Sequence, residues 1–181
     1  LGALVRVVGL SGTWSETVGG FIPTAHLRAL SDPPGDPVAV AESLIGTPCL
    51  WGGNTRGGLD CSGLVQIAHL VCGIACPGDS DLILQATAPV TGALQRGDLI
   101  FWKGHVAMVV DSDRLIHANG HSMSVTCEGT EAAIARIAAQ GGGPVTHQGR
   151  LPRGQNRRVC RLHGRNYRPA FASRQSHERI T

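Results

Sequence analysis

The sequence predicts an α+β domain in which a helix carrying a thiol packs against an antiparallel sheet, and three observations predict it. After Cys61 the apolar residues Leu64, Val65, Ala68, Val71, Cys72 and Ala75 recur at helical spacing. Asp98–Trp102, His105–Val110 and Leu115–Ala118 are short runs rich in aromatic and β-branched residues, the last two divided by the turn signal Asp111-Ser112-Asp113. The Ala- and Ile-rich stretch Glu131–Ala139 reads as a second helix, closed by Gly141-Gly142-Gly143-Pro144.

The first of these helices places a nucleophile. Asp is a good helix cap, so Asp60 puts Cys61 in the first turn. There the unpaired backbone N–H groups and the positive end of the helix dipole favour a thiolate, and predict a thiol pKa below its ordinary value of about 8.5. The same N–H groups can hold the oxyanion of a tetrahedral intermediate. A buried cysteine acting as a small hydrophobe is the common alternative. It suits Cys72 and Cys76 better than Cys61, which has Asp60, Ser62 and Gly63 around it.

The strands supply the base. His105 and His117 are twelve residues apart. In an antiparallel pair they share a face only if the connecting loop has an odd number of residues or a bulge intervenes, so an irregular turn is predicted near Asp111 to Arg114. Given that turn, His105 can take the Cys61 proton while His117 holds its other ring nitrogen and fixes the tautomer. One strand histidine is more often structural; two on one face, downstream of a helix-capping cysteine, point to catalysis.

Five segments in one order now resemble a family. They are Gly46-Thr47-Pro48-Cys49-Leu50-Trp51-Gly52-Gly53, Asp60-Cys61-Ser62-Gly63-Leu64-Val65-Gln66, Gly97-Asp98-Leu99-Ile100-Phe101-Trp102, Gly104-His105-Val106 and Ile116-His117-Ala118-Asn119. Together, over about residues 38 to 150, they are similar to the NlpC-type, papain-like cysteine peptidases of bacteria. The resemblance implies a papain-like fold and hydrolysis of murein peptides after γ-linked D-glutamate, through a thioester on Cys61 with His105 and His117 completing the triad. It implies no cofactor and no metal. Pro77-Gly78-Asp79-Ser80-Asp81 resembles the acidic segment with which some γ-D-glutamyl-L-diamino acid peptidases receive the free amine of an L-Ala-γ-D-Glu peptide. On that likeness Asp60, Ser62, Asp79 and Ser80, with Trp51, are substrate contacts. Carboxylates select an ammonium through charge-assisted hydrogen bonds. Helix capping by the same Asp and Ser residues is the competing reading.

The chain also departs from the family. A tyrosine thought to assist at the oxyanion site is usual where Cys49 stands, and a thiol is a poor hydrogen-bond donor. Gly78 stands where relatives often carry Arg, and the Gln expected soon after Asp81 comes only at Gln85. A Cys49–Cys61 disulfide and a silent wall-peptide binding protein are the alternatives these changes raise. An amidase or acyltransferase using the same triad is a third.

The ends read differently. Residues 1 to 31 are short strands punctuated by Gly, similar to the last part of a bacterial SH3-like barrel, so the chain is expected to begin mid-architecture. Residues 32 to 37, with three prolines, are the predicted linker, and Val38 to Ile45 has helical spacing. The segment from Trp51 to Gly58 is expected to be a loop. Residues 1 to 150 hold eight Lys or Arg against twelve Asp or Glu, whereas residues 151 to 181 hold eight Arg against one Glu. The overall charge of +3 is therefore all tail, which is expected to be a disordered extension and not a nucleic-acid site. Aromatics at 4% do not suit a base-stacking surface. No stretch approaches the roughly twenty apolar residues of a membrane span. Six irregularly spaced cysteines and a thiol that must stay reduced favour a cytoplasmic setting, with export to the periplasm or wall as the alternative. His69, Cys72 and Cys76 lie at helical spacing but are too few for a structural zinc site. Oligomeric state stays open.

Overall fold

A computed structural model describes residues 1–152, and the rest of the basic tail lies outside the described residues. Three strands open the chain: β1 (Val7–Ser11), β2 (Trp14–Thr17) and β3 (Gly20–Pro23), antiparallel in that order. They form an open sheet and no closed barrel. Its large side chains are mostly out in solvent, Leu10 at 74% and Phe21 at 59%, and only Ser15 of its strand residues is buried.

Helix α1 (Pro37–Glu42) begins where the Asp36 carboxylate accepts the Val38 N–H at 2.9 Å. Pro37, assigned above to the linker, is its first residue, a position where proline's missing N–H costs nothing. The expected loop before Cys61 instead contains a small hairpin, β4 (Asn54–Thr55) with β5 (Gly58–Leu59). Helix α2 (Cys61–Val71) follows. It ends four residues earlier than the apolar spacing suggested, because Gly73 turns into the left-handed region at φ +73° and stops it.

Next come α3 (Ser80–Ala86) and β6 (Ala88–Pro89), then β7 (Leu99–Trp102), β8 (His105–Val109), β9 (Arg114–Asn119) and β10 (Ser124–Gly129). Helix α4 (Thr130–Ala139) and β11 (His147–Arg150) complete the described chain. The main sheet runs β10-β9-β8-β7-β11-β6, antiparallel throughout. Alternation along the strands splits the core. Leu99, Phe101, Val106, Met108, Ile116 and Val125 pack under α1 and α2, while Ile100, Trp102, Ala107, Val109 and Leu115 meet Ala133 and Ile137 of α4. Each large apolar side chain so buried contributes about 1.5–3 kcal/mol. The edge-side strand β11 is pinned by Arg150, whose guanidinium donates to both oxygens of the buried Asp98.

Candidate active site

Cys61 is the first residue of α2, and the turn that presents it is tied on both sides of its cap. Asp60 Oδ1 accepts the Gly63 N–H at 2.6 Å and the Ser62 hydroxyl at 3.1 Å, and Oδ2 accepts the Gly52 N–H at 2.8 Å. The loop carrying Gly52 and Gly53 thereby lies against the helix start. Only glycine permits it at position 63, since a Cβ there would meet the Gly53 carbonyl oxygen at 2.2 Å.

The base side is built from β8, β9 and β10. Met108 pairs with Ile116 and Val109 with Leu115, leaving five residues, 110 to 114, between the paired positions. That odd count puts His105 and His117 on one face, as parity requires. Asp111 makes the turn, accepting the N–H groups of Asp113 and Arg114 through Oδ1 and the Arg114 guanidinium through Oδ2. His105 Nε2 and His117 Nδ1 are 2.8 Å apart, and His117 Nε2 is 2.6 Å from Glu128 Oε1. Arg136, from α4, donates to the same Glu128 oxygen. Trp102 stands beside the first ring, their centroids 5.7 Å apart.

The two sides meet at the start of β8. By alternation the histidines project on the α4 face, whereas α2 packs on the other. His105 is the first residue of its strand, and the next N–H, that of Val106, faces the Cys61 sulfur. Among the described residues no hydrogen bond joins the sulfur to the His105 ring, and such contacts often close only when substrate is bound.

Electrostatics correct one expectation. Burial pushes the Cys61 thiol up, and the Asp60 charge adds to that; the N–H groups of Val106, Ser62 and Cys61 itself pull back without winning. The helix start is where it was expected, but the thiolate is not favoured in the free protein. His105 is held neutral, its pKa lowered to about 4 by burial and by the charges of His117 and Arg136, with Glu128 opposing. His117, fully buried, is lowered chiefly by burial. For Glu128 burial acts upward, yet hydrogen bonds from His117 and Arg136 outweigh it and keep the carboxyl below its ordinary range. The resting pair is thus thiol and neutral imidazole.

The proposed amine cluster is only partly assembled. Ser62 Oγ lies 3.2 Å from the Gly78 carbonyl as well as near Asp60, which draws the 77–81 segment to the nucleophile turn. Asp79 caps α3, its Oδ1 accepting the Asp81 N–H at 2.9 Å, and Ser80 is that helix's first residue. Both carboxylates therefore already serve helix ends. Trp51 is 97% exposed. Cys49 and Cys61 are both free thiols, and Cys49 pairs by a backbone bridge with Leu59, two residues before the nucleophile. A cavity of about 290 Å³ opens beside the histidines, lined also by Asn119, His121, Arg136 and Gln140. A larger one, about 470 Å³, lies away from them among Asp36, Arg96, Asp98 and Arg150.

Sequence reasoning missed Glu128 and Arg136. No strand was read over Ser124–Gly129, and it is the β9–β10 register that carries the signal: Thr126 pairs with His117, so Glu128, two residues on, returns to the same face.

Comparison with known proteins identifies the family and the fold. The NlpC/P60 family matches residues 46–137. Dipeptidyl-peptidase 6 of Lysinibacillus sphaericus is 36% identical over 84 residues, 45% of this chain and 31% of that protein. The γ-D-glutamyl-L-lysine dipeptidyl-peptidase of Bacillus cereus is 33% identical over 99 residues, 50% of this chain and 30% of that one. This chain thus spans about a third of the length of these curated relatives. Among solved structures, an NlpC/P60 family protein from Bacillus cereus superposes with a TM-score of 0.67 over 82% of this chain and 54% of its own, at 24% identity. The peptidoglycan hydrolase RipB of Mycobacterium tuberculosis gives 0.54 over 64% and 62%, at 28% identity.

Proposed function

This chain belongs to the NlpC/P60 family, and on that premise we propose that it is a cysteine peptidase of cell-wall peptides, cleaving the γ-D-glutamyl–diamino acid bond of L-Ala-γ-D-Glu-diamino acid. The observation that carries the reading is the hydrogen bond between His105, at the head of β8, and His117 of β9, with the Val106 N–H beside His105 facing the Cys61 sulfur on the first turn of α2. In the reaction His105 takes the thiol proton as the sulfur attacks the carbonyl carbon. Backbone N–H groups at the start of α2 hold the oxyanion. Collapse expels the diamino acid amine, which receives the proton from His105, and water then hydrolyses the thioester. A tetrahedral adduct formed on a neutral thiol needs this base, because the thiol is not pre-ionised.

Names borne by the relatives support the substrate class: one is a γ-D-glutamyl-L-lysine dipeptidyl-peptidase. We assign the amine contacts to Asp60, Ser62, Asp79 and Ser80 and a packing contact to Trp51. The three N-terminal strands are read as SH3-like, and the required free thiol favours a reducing, cytoplasmic setting over export to the periplasm or wall.

Incubation with L-Ala-γ-D-Glu-diaminopimelate should release free diaminopimelate from the unaltered protein and none from Cys61→Ala. Equal release from both would defeat the assignment. A second reading, a wall-peptide binding protein, is favoured by Cys49 standing where the family carries a tyrosine. Saturable binding of the same peptide with no product would establish it.

A further inference from the structure

Behind the two histidines stands a carboxylate that neither the triad nor the substrate contacts use. Glu128 meets His117 Nε2 at 2.6 Å, is 25% exposed, and receives Arg136 on the same oxygen. We propose that Glu128, oriented by Arg136, is a positioning residue that sets the tautomer of both imidazoles and leaves Nδ1 as the unprotonated nitrogen of His105, the one free to take the Cys61 proton. The inference rests on the peptidase reading for its purpose but not for its physics.

The chain of reasoning is one of donors and acceptors. An ionised carboxylate only accepts, and the arginine beside it only donates, so the proton between Glu128 and His117 must sit on His117 Nε2. A neutral imidazole carries one N–H, which leaves His117 Nδ1 as an acceptor. At 2.8 Å from it, His105 Nε2 must then be the donor. His105 in turn is left with a lone pair on Nδ1 alone. A proton leaving the sulfur goes to that nitrogen: the S–H bond breaks, an Nδ1–H bond forms, and the imidazolium keeps its Nε2–H on His117. The new positive charge then lies at the end of a hydrogen-bonded line that finishes on a carboxylate, which stabilises it through the intervening ring.

Arg136 also decides what an amide would do in this place. In Glu128→Gln the arginine, which can only donate, faces the amide oxygen and turns the NH₂ group toward His117. His117 Nε2 becomes the acceptor, Nδ1 the donor, and His105 is driven to the opposite tautomer with its proton on Nδ1. The variant keeps the shape of the site and inverts its protons. In a serine peptidase the comparable change of tautomer costs about 10⁴ in kcat; here the carboxylate is one ring further away, and a loss of about 10²-fold is expected.

The test is ¹⁵N NMR of the imidazole nitrogens in the full chain, with kcat for the peptide measured alongside. In the unaltered protein at neutral pH, His105 should show a protonated, pyrrole-like Nε2 and a pyridine-like Nδ1. In Glu128→Gln the two should exchange, and Glu128→Asp should keep the original pattern. A proton on His105 Nδ1 in the unaltered protein, or an unchanged pattern in Glu128→Gln, overturns the inference, and the first of these needs no variant to fold. Because the spectra need no substrate, a protein that shows the exchange but cleaves nothing sinks the peptidase reading and leaves this one standing.

Discussion

The two sides of the site use the same residue types to different ends. On the histidine side, His105, His117, Glu128 and Arg136 satisfy one another in a line of side chains, and every member is spent on the next. On the nucleophile side the carboxylates of Asp60 and Asp79 are spent on backbone N–H groups at helix starts. A side-chain line transmits direction to one reactive nitrogen; a capped turn holds a backbone in place. The difference teaches that a carboxylate near a cysteine nucleophile need not be a binding group, and that the one which tunes the chemistry can lie far from it in sequence.

Substitutions can break that contrast. His105→Ala should lower kcat/KM by about 10²–10⁴-fold, the usual worth of a general acid–base. Asp79→Ala on the opposite side should cost at most about tenfold if its main duty is the cap, which the same peptide assay decides. Cys49→Tyr should raise kcat, by up to about 10²-fold, if the tyrosine of relatives donates to the oxyanion; an unchanged rate would place that donor elsewhere. N-acetylating the peptide probes whether the caps double as an amine site. An unchanged kcat/KM removes Asp60 and Asp79 from substrate recognition.

Stability should report the same asymmetry. His105 resists protonation until about pH 4 in the folded protein, against an ordinary value of 6.5. Unfolded chains bind that proton first, so stability is lost progressively as pH falls from 6.5 towards 4. His117 is shifted in the same direction, and Glu128 and Asp98, held below their ordinary carboxyl values, lose their contribution as pH falls through the acid range. The melting temperature should drop over that window, and a flat profile would mean the rings are not buried as described. Replacing Asp60 by Ala should cost about 1 kcal/mol through the lost cap. Trp51→Ala, at a side chain almost wholly in solvent, should change stability by less than about 0.5 kcal/mol, so any rise in KM would be a contact with substrate.

Much of this was legible from the residues themselves. Asp60 as cap, Cys61 in the first turn and the odd turn between His105 and His117 follow from rules that act within a few positions. The short hairpin before the helix was not, since two-residue strands at Asn54 and Gly58 leave no periodic trace. Nor was the identity of Glu128, because no strand was read over Ser124–Gly129 and its partner depended on that pairing.

Local chemistry along the chain determined which groups could react and in what order they come: a thiol behind a capping aspartate, then two rings on alternating positions. Tertiary structure alone decided the state of those groups. Burial raised the thiol and kept both imidazoles neutral, and the β9–β10 register brought Glu128 and, through α4, Arg136 behind them. Hydrogen-bond caps and strand alternation are short-range, whereas desolvation and cross-strand partners sum over segments that only folding brings together.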